Sequence, residues 1–171
     1  FVSLHSFSKD LAIPGYRVGA LVGSAQLIEQ STKILDCVAI CAPRVGQEAV
    51  LAGLKHAALS RLEQVKRIGA LERYFAPSFR SNPGGFELIT AGAYFGWVHH
   101  PFDNLESLQV IRKLLDHDVL AIPGTAFTIR DGGMLRFSFA NLTTAEIDDL
   151  VTRLGSLKLS LIHISEPTRR T

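Results

Sequence analysis

The chain has 171 residues, and 18 Lys and Arg against 16 Asp and Glu leave a formal charge of +2. Hydrophobic residues at 47% and charged ones at 20% exclude a disordered, collagenous or low-complexity protein. The near-balanced charge gives no electrostatic argument for nucleic acid or an anionic membrane, and no apolar run approaches the ~18 residues of a membrane span, so neither is expected as a partner.

The length predicts one domain or two small ones, with enough chain for a sizeable core. A mean hydropathy of +0.20 predicts apolar surface meant to be covered by something outside this stretch. The chain opens at Phe1 without an initiator Met or a signal-peptide pattern, and it reads as a piece of something longer.

Elements alternate between α and β. Residues 1–8 (FVSLHSFS) begin with apolar–polar alternation and predict a strand ending in a small polar turn. After the Pro14-Gly15 turn signal, residues 17–23 (RVGALVG) predict a second short strand, and 25–35 carry helical spacing. Cys41-Ala42-Pro43 breaks that pattern. A stretch of helix formers over 45–75 follows, long enough that a break near Ser60 or Gly69 is expected. Cys37 and Cys41 are too few for a disulfide framework, and their spacing has no second ligand pair for zinc. They are expected to be buried, inert thiols in a reducing, cytoplasmic setting.

Residues 78–85 (SFRSNPGG) predict a loop, and 93–100 (AYFGWVHH) an aromatic strand. Tyr94, Phe95 and Trp97 are expected mainly in the core, and His99 and His100 exposed at the strand end. Residues 105–117 predict an amphipathic helix presenting Leu105, Leu108, Ile111, Leu114 and Leu115 on one face. A short strand over 119–122 closes at Pro123-Gly124, and strands at 126–130 and 134–139 flank the hairpin-type turn Asp131-Gly132-Gly133. Thr143 or Thr144, with Glu146 close behind, caps a last helix running to about Leu157. The expected organisation is a first region over 1–60, an α+β layer over 61–157 and a tail over 158–171.

The chemistry is concentrated near the start. Ser6-Phe7-Ser8-Lys9 followed by Pro14-Gly15-Tyr16-Arg17-Val18-Gly19 places a lysine at a strand end, with hydroxyls one and three residues before it and an arginine eight residues after. A lysine amine forms Schiff bases with carbonyl compounds. Hydroxyls and a guanidinium converging on one point suit a phosphate. The combination is what a pyridoxal-phosphate site requires. Farther along, Arg136 lies between Leu135 and Phe137 in an apolar strand, an expensive place unless it is paired, and either a clamp on a substrate carboxylate or a structural salt bridge would supply the pair.

SFSKDLAIPGYRVG resembles the cofactor-lysine motif of class I/II aminotransferases, fold type I of the aspartate aminotransferase superfamily. Ile40-Cys41-Ala42-Pro43 with Gln47, GAYFGWV, LAIPGTAF and LRFSFA are similar to further landmarks of that family, in order, across residues 1–157. The resemblance implies an α/β chain: the C-terminal part of a large cofactor-binding domain, with two strands of a mostly parallel sheet, followed by an α+β small domain. It implies pyridoxal 5′-phosphate as cofactor, Lys9 as its Schiff-base partner and catalytic acid–base, Ser6, Ser8 and Arg17 as phosphate ligands, and Arg136 on the substrate α-carboxylate. Arg44 is a weaker candidate for an acidic substrate side chain. Amino acids and 2-oxo acids are the implied substrates, and a homodimer the implied assembly.

In the family, the aspartate facing the pyridine nitrogen, the ring-stacking aromatic and further phosphate ligands precede the lysine, so the isolated stretch is expected to be inactive. Two alternatives share these residues: another fold type I enzyme, such as a carbon–sulfur β-lyase or synthase, and a cofactor-sensing regulatory domain. The tail after about Leu159 (SLIHISEPTRRT) resembles sequencing-adapter read-through rather than the family. A further edge strand over 159–164 is its alternative reading.

Overall fold

The computed structural model describes residues 1–162, with side chains described through residue 157. It divides into two compact units, Phe1–Val65 and Lys66–Thr171.

In the first unit, β1 (Ser3–Ser6) and β2 (Gly19–Val22) form an antiparallel pair, in register from Ser3 opposite Val22 to Ser6 opposite Gly19. The chain between them makes the single helical turn α1 (Phe7–Asp10) and a 3-10 turn at Pro14–Tyr16. Helix α2 (Ala25–Val38) starts where the Ser24 hydroxyl accepts the Leu27 N–H at 3.3 Å, satisfying one orphan donor of the first turn. Helix α3 (Arg44–His56) follows Pro43, which stands at its N-cap.

The long helical stretch breaks at Ala57, earlier than either expected position: α4 runs without interruption from Ala58 to Ser78, through Ser60 and Gly69. Lys55 and His56 fill the last turn of α3, where basic side chains complement the negative end of the helix dipole.

The buried core of this unit is small: Phe7, Val18 and Val50, with Leu11, Ile13 and Ala42 against them. Gly46 makes the packing possible, because a Cβ there would lie 2.5 Å from Val18 Cγ2 and 3.0 Å from the Tyr16 carbonyl oxygen. Helix α2 buries no residue. Both Cys37, on that helix, and Cys41, just after it, are exposed, which corrects the expectation of buried thiols.

The second unit is built on a four-stranded antiparallel sheet, in spatial order β3-β4-β6-β5: β3 (Glu87–Gly92), β4 (Phe95–His99), β5 (Ile122–Pro123) and β6 (Met134–Ser138). Strand β3 was not expected from the sequence; its register shifts between Leu88 and Thr90, which interrupts the period-2 pattern that would announce it. No strand forms over 126–130. Gly124–Ala126 is instead a 3-10 turn whose Gly124 carbonyl accepts the N–H groups of Phe127 (2.8 Å) and Thr128 (3.0 Å). β6 therefore pairs with β5 through Ile122 and Pro123 rather than closing a hairpin around Asp131.

Strand alternation sets which side chains enter the core. Gly96 and Val98 of β4 and Leu135 and Phe137 of β6 face inward. Against them pack Phe75 of α4, at 0% exposure, and Phe139, their rings stacked at 4.8 Å. Phe95, Trp97 and His99 fall on the opposite face and are half-buried, and Tyr94, in the β3–β4 turn, is half-buried as well. The expectation that Tyr94, Phe95 and Trp97 are mainly core is thereby corrected.

Helix α5 (Ser107–Leu115) is closed at its start by a Glu106–Gln109 capping box. It buries Val110, Ile111 and Leu114 but leaves Leu108 and Leu115 about half exposed, so the apolar stripe is narrower than the sequence suggested. His100 is buried rather than exposed, at 3%. Its N–H donates to the Gly133 carbonyl at 2.9 Å and Phe102 stacks on its ring.

Helix α6 (Thr144–Ile162) begins at Thr143, whose N–H and hydroxyl donate to Glu146 Oε2 at 2.7 and 2.8 Å. Its backbone continues helically through residue 162, so an edge strand does not form over 159–162. The expectations for 163–171 lie outside the described residues. Among the described residues, no helix is long and apolar enough to cross a membrane.

Candidate active site

The first unit gathers four of the sequence-predicted residues at one end of its two-stranded ladder. Ser6 is the last residue of β1, and Ser8 and Lys9 lie in the turn α1 that follows directly. Arg17 stands two residues before β2, and the flanking bond from Phe7 N–H to the Val18 carbonyl (3.4 Å) carries the pairing beyond Ser6 and Gly19 toward it. Lys9 thus sits on a helical turn beyond the strand end expected to carry it, and Arg17 precedes the strand it was expected to open.

Ser6 is the N-cap of α1 yet makes no capping hydrogen bond through its hydroxyl. Ser6, Lys9 and Arg17 are exposed and Ser8 is half-buried. The turn bearing Lys9 is fixed from both sides. Phe7 roots it in the small core, and Asp10 accepts two hydrogen bonds from the Arg61 guanidinium, at 2.9 and 2.7 Å. That ion pair bridges 51 positions of sequence, and no local pattern could have announced it.

Arg17 has φ +53°, a left-handed conformation that costs an L-residue about 1 kcal/mol. Its Nη1 donates to the Pro14 carbonyl at 2.9 Å, which folds the side chain back over the 3-10 turn. A primary amine, two hydroxyls and a guanidinium at one ladder end suit an aldehyde bearing a phosphate. The adjacent carboxylate, Asp10, is already engaged by Arg61, so the donor set fits pyridoxal phosphate.

Arg136 belongs to the second unit, at the middle of β6, directly opposite Trp97 on β4 and Ile122 on β5. It is half-buried on the face away from the core. Its guanidinium carbon lies over the Phe95 ring at 4.1 Å and over the Phe127 ring at 4.3 Å, and Phe127 in turn meets Trp97 edge-on at 6.0 Å. None of the ion pairs among the described residues includes Arg136. The expense of an arginine in this strand is met by aromatic faces rather than by an acid.

Sequence reasoning missed Phe95 and Phe127 as neighbours of Arg136. The available signal was the i, i+2 spacing of Phe95, Trp97 and His99, but only cross-strand register shows that they share the arginine's face. Arg44, the weaker candidate, is exposed and held by Glu48 one turn along α3, at 2.8 Å.

Residues 1–154 match the family model described as aminotransferase class I and II, and the chain belongs to that family, whose members depend on pyridoxal phosphate. An aromatic aminotransferase of Arabidopsis thaliana is 29% identical over 170 residues, covering 95% of this chain and 42% of the relative. A 2-aminoadipate transaminase of Thermus thermophilus is 30% identical over 175 residues, again covering 95% and 42%. The crystal structure of α-aminoadipate aminotransferase from Thermus thermophilus, complexed with N-(5′-phosphopyridoxyl)-L-leucine, superimposes with a TM-score of 0.80 at 28% identity, covering 95% of this chain and 43% of that one. The chain therefore spans a little over two-fifths of the length of these relatives.

Proposed function

We propose that the protein to which this chain belongs transfers an amino group from an amino acid to a 2-oxo acid, with Lys9 as the covalent anchor for pyridoxal phosphate. The observation that carries the proposal is the gathering of Ser6, Ser8, Lys9 and Arg17 at one end of the β1–β2 ladder. Arg17 supplies a permanent positive charge for the phosphate, and the Ser6 and Ser8 hydroxyls donate to its oxygens.

When bound, the cofactor's pyridine ring supplies an electron sink for the carbanion at the substrate Cα. With the cofactor bound, the Lys9 amine would take the proton from the substrate Cα and return it at the cofactor's former carbonyl carbon, acting as general acid–base. Holding Lys9 on a helical turn, rooted by Phe7 and tied through Asp10 to Arg61, restricts the arc over which that amine can move. Arg136 binds the substrate α-carboxylate and so decides which bond at Cα is presented for cleavage.

A homodimer in the cytoplasm is the assembly and location we propose, from the family membership and the cysteine usage. Residues of the remaining length of such relatives complete the site, so we expect the 171-residue chain alone to be inactive.

The test uses the complete protein. Pyridoxal phosphate is expected to give a visible absorption band that amino acids bleach, and borohydride added in their absence is expected to discharge that band and fix the cofactor irreversibly on Lys9. A Lys9→Ala variant that keeps the band, or a wild type that shows none, would overturn the assignment.

A further inference from the structure

We propose that Phe95 and Phe127 are positioning residues that hold the Arg136 guanidinium as a directional carboxylate receiver; this rests on the carboxylate role proposed above for Arg136. The guanidinium is a planar cation whose N–H donors lie in its own plane. With its carbon over the Phe95 ring at 4.1 Å and the Phe127 ring at 4.3 Å, it is flanked by apolar surface that cannot accept those donors in their plane. The rings attract the charge without consuming a hydrogen bond, which leaves the donor edges for an acceptor that matches them two at a time, a carboxylate.

An acid in the same place would bind the cation more strongly but would occupy that edge. Two rings instead of an acid therefore keep the arginine in place and still hungry for an anion. They also keep water from the flanks of the charge, which strengthens its attraction for a carboxylate.

Each ring is held from a different element. Phe95 begins β4, opposite Ser138 of β6. Phe127 ends the 3-10 turn whose Gly124 carbonyl accepts its N–H, and Thr128 closes that turn further by donating its hydroxyl to the Gly124 and Arg130 carbonyls at 3.1 and 2.9 Å. The edge of Trp97 buttresses Phe127. Neither Phe95 nor Phe127 belongs to the buried core of the unit, and Phe127 is 50% exposed. Replacing either ring therefore leaves the core packing untouched.

The experiment compares wild type with Phe95→Leu, Phe127→Leu and Phe127→Tyr in the complete protein. KM is measured for the amino acid turned over fastest and for the amine that lacks its carboxylate. The dissociation constant of an inert carboxylate, 3-phenylpropionate, needs no turnover. Each leucine variant is expected to raise the amino-acid KM and weaken 3-phenylpropionate by about five- to tenfold. The same variants are expected to leave kcat and the amine KM within about twofold, and tyrosine is expected to restore the wild-type values.

Unchanged constants, equal changes for amino acid and amine, or no affinity of the wild type for 3-phenylpropionate would overturn the inference. Failure of the reading beneath it has a different signature: an Arg136→Leu variant that keeps the wild-type amino-acid KM and the wild-type affinity for 3-phenylpropionate.

Discussion

Around its four-stranded sheet the second unit seals Phe75, Phe86, Leu114, Leu135, Ile147 and Leu154 at 0% exposure. The first unit, from a comparably apolar stretch of sequence, buries only three hydrophobic side chains, Phe7, Val18 and Val50. It leaves Ile34, Leu35 and Val38 of α2 and Leu51 and Leu54 of α3 in contact with solvent. The difference shows that an amphipathic pattern states which face of a helix is fit for burial, not whether the chain supplies something to bury it against. In the second unit the opposing surface is a sheet with a continuous apolar face. In the first it is a two-stranded ribbon, too small to cover two helices.

Truncating a sealed side chain and an open one is the most direct way to break that comparison. Phe75→Ala removes a ring that stacks on Phe139 at 4.8 Å and touches Phe79 at 4.9 Å, and is expected to lower the unfolding free energy of the second unit by about 3–5 kcal/mol. In the 171-residue chain by itself, Leu54→Ala, at a position 51% exposed, is expected to change stability by no more than about 0.5 kcal/mol. Urea unfolding of the two variants would erase the distinction if their effects were equal.

A smaller effect tests how the second unit fastens its loops. Asp131 accepts from the Ser107 N–H at 2.7 Å, the Ser107 hydroxyl at 2.5 Å and the Gly133 N–H at 2.9 Å. The Ser107 hydroxyl contributes most to holding the Asp131 carboxyl below its ordinary value, and the two backbone donors add to it against partial burial. Asp131→Ala is expected to cost about 1 kcal/mol, reduced from the full worth of charged hydrogen bonds because the residue is exposed. Since the folded carboxyl is the stronger acid, its contribution is complete above the unfolded value near pH 4. It disappears as pH falls through the folded value, so wild type and variant should converge in acid.

A further effect, read as a slope in pH, belongs to His100. Burial lowers its pKa first and the neighbouring His99 lowers it further, while Asp131 and Asp103 oppose the shift. A folded histidine that resists protonation contributes stability above the unfolded value of about 6.5, lost as pH falls below it. Thermal melts should therefore decline between pH 7 and pH 5. His100→Asn keeps an acceptor where Nδ1 receives the Phe102 N–H at 3.3 Å and should flatten that decline; an unaltered slope would assign it elsewhere.

Local signals in the sequence were sufficient for much of this. The Thr143–Glu146 cap, the helix over 25–35 and the strand that precedes Lys9 each depend on neighbours within a few residues. The β3 strand escaped because its bulge disrupts alternation, and the strand expected over 126–130 failed because Gly124 draws Phe127 and Thr128 into a 3-10 turn. His100 looked like a strand-end surface residue, and its burial depends on Phe102 and Gly133, one of them 33 positions away. At the candidate site the residue types were legible, whereas the Asp10–Arg61 tie and the rings beside Arg136 are products of tertiary register.

Gly96 faces the core from β4, and a Cβ there would stand 2.5 Å from Cε1 of Phe75. Helix and strand meet at the distance a bare Cα allows, so the large ring and the missing side chain form a single steric unit divided between two elements. Among relatives that keep this packing, the two positions are expected to drift as a pair, a shrinking residue at 75 accompanying a growing one at 96. Substituting either alone imports the clash or leaves a void.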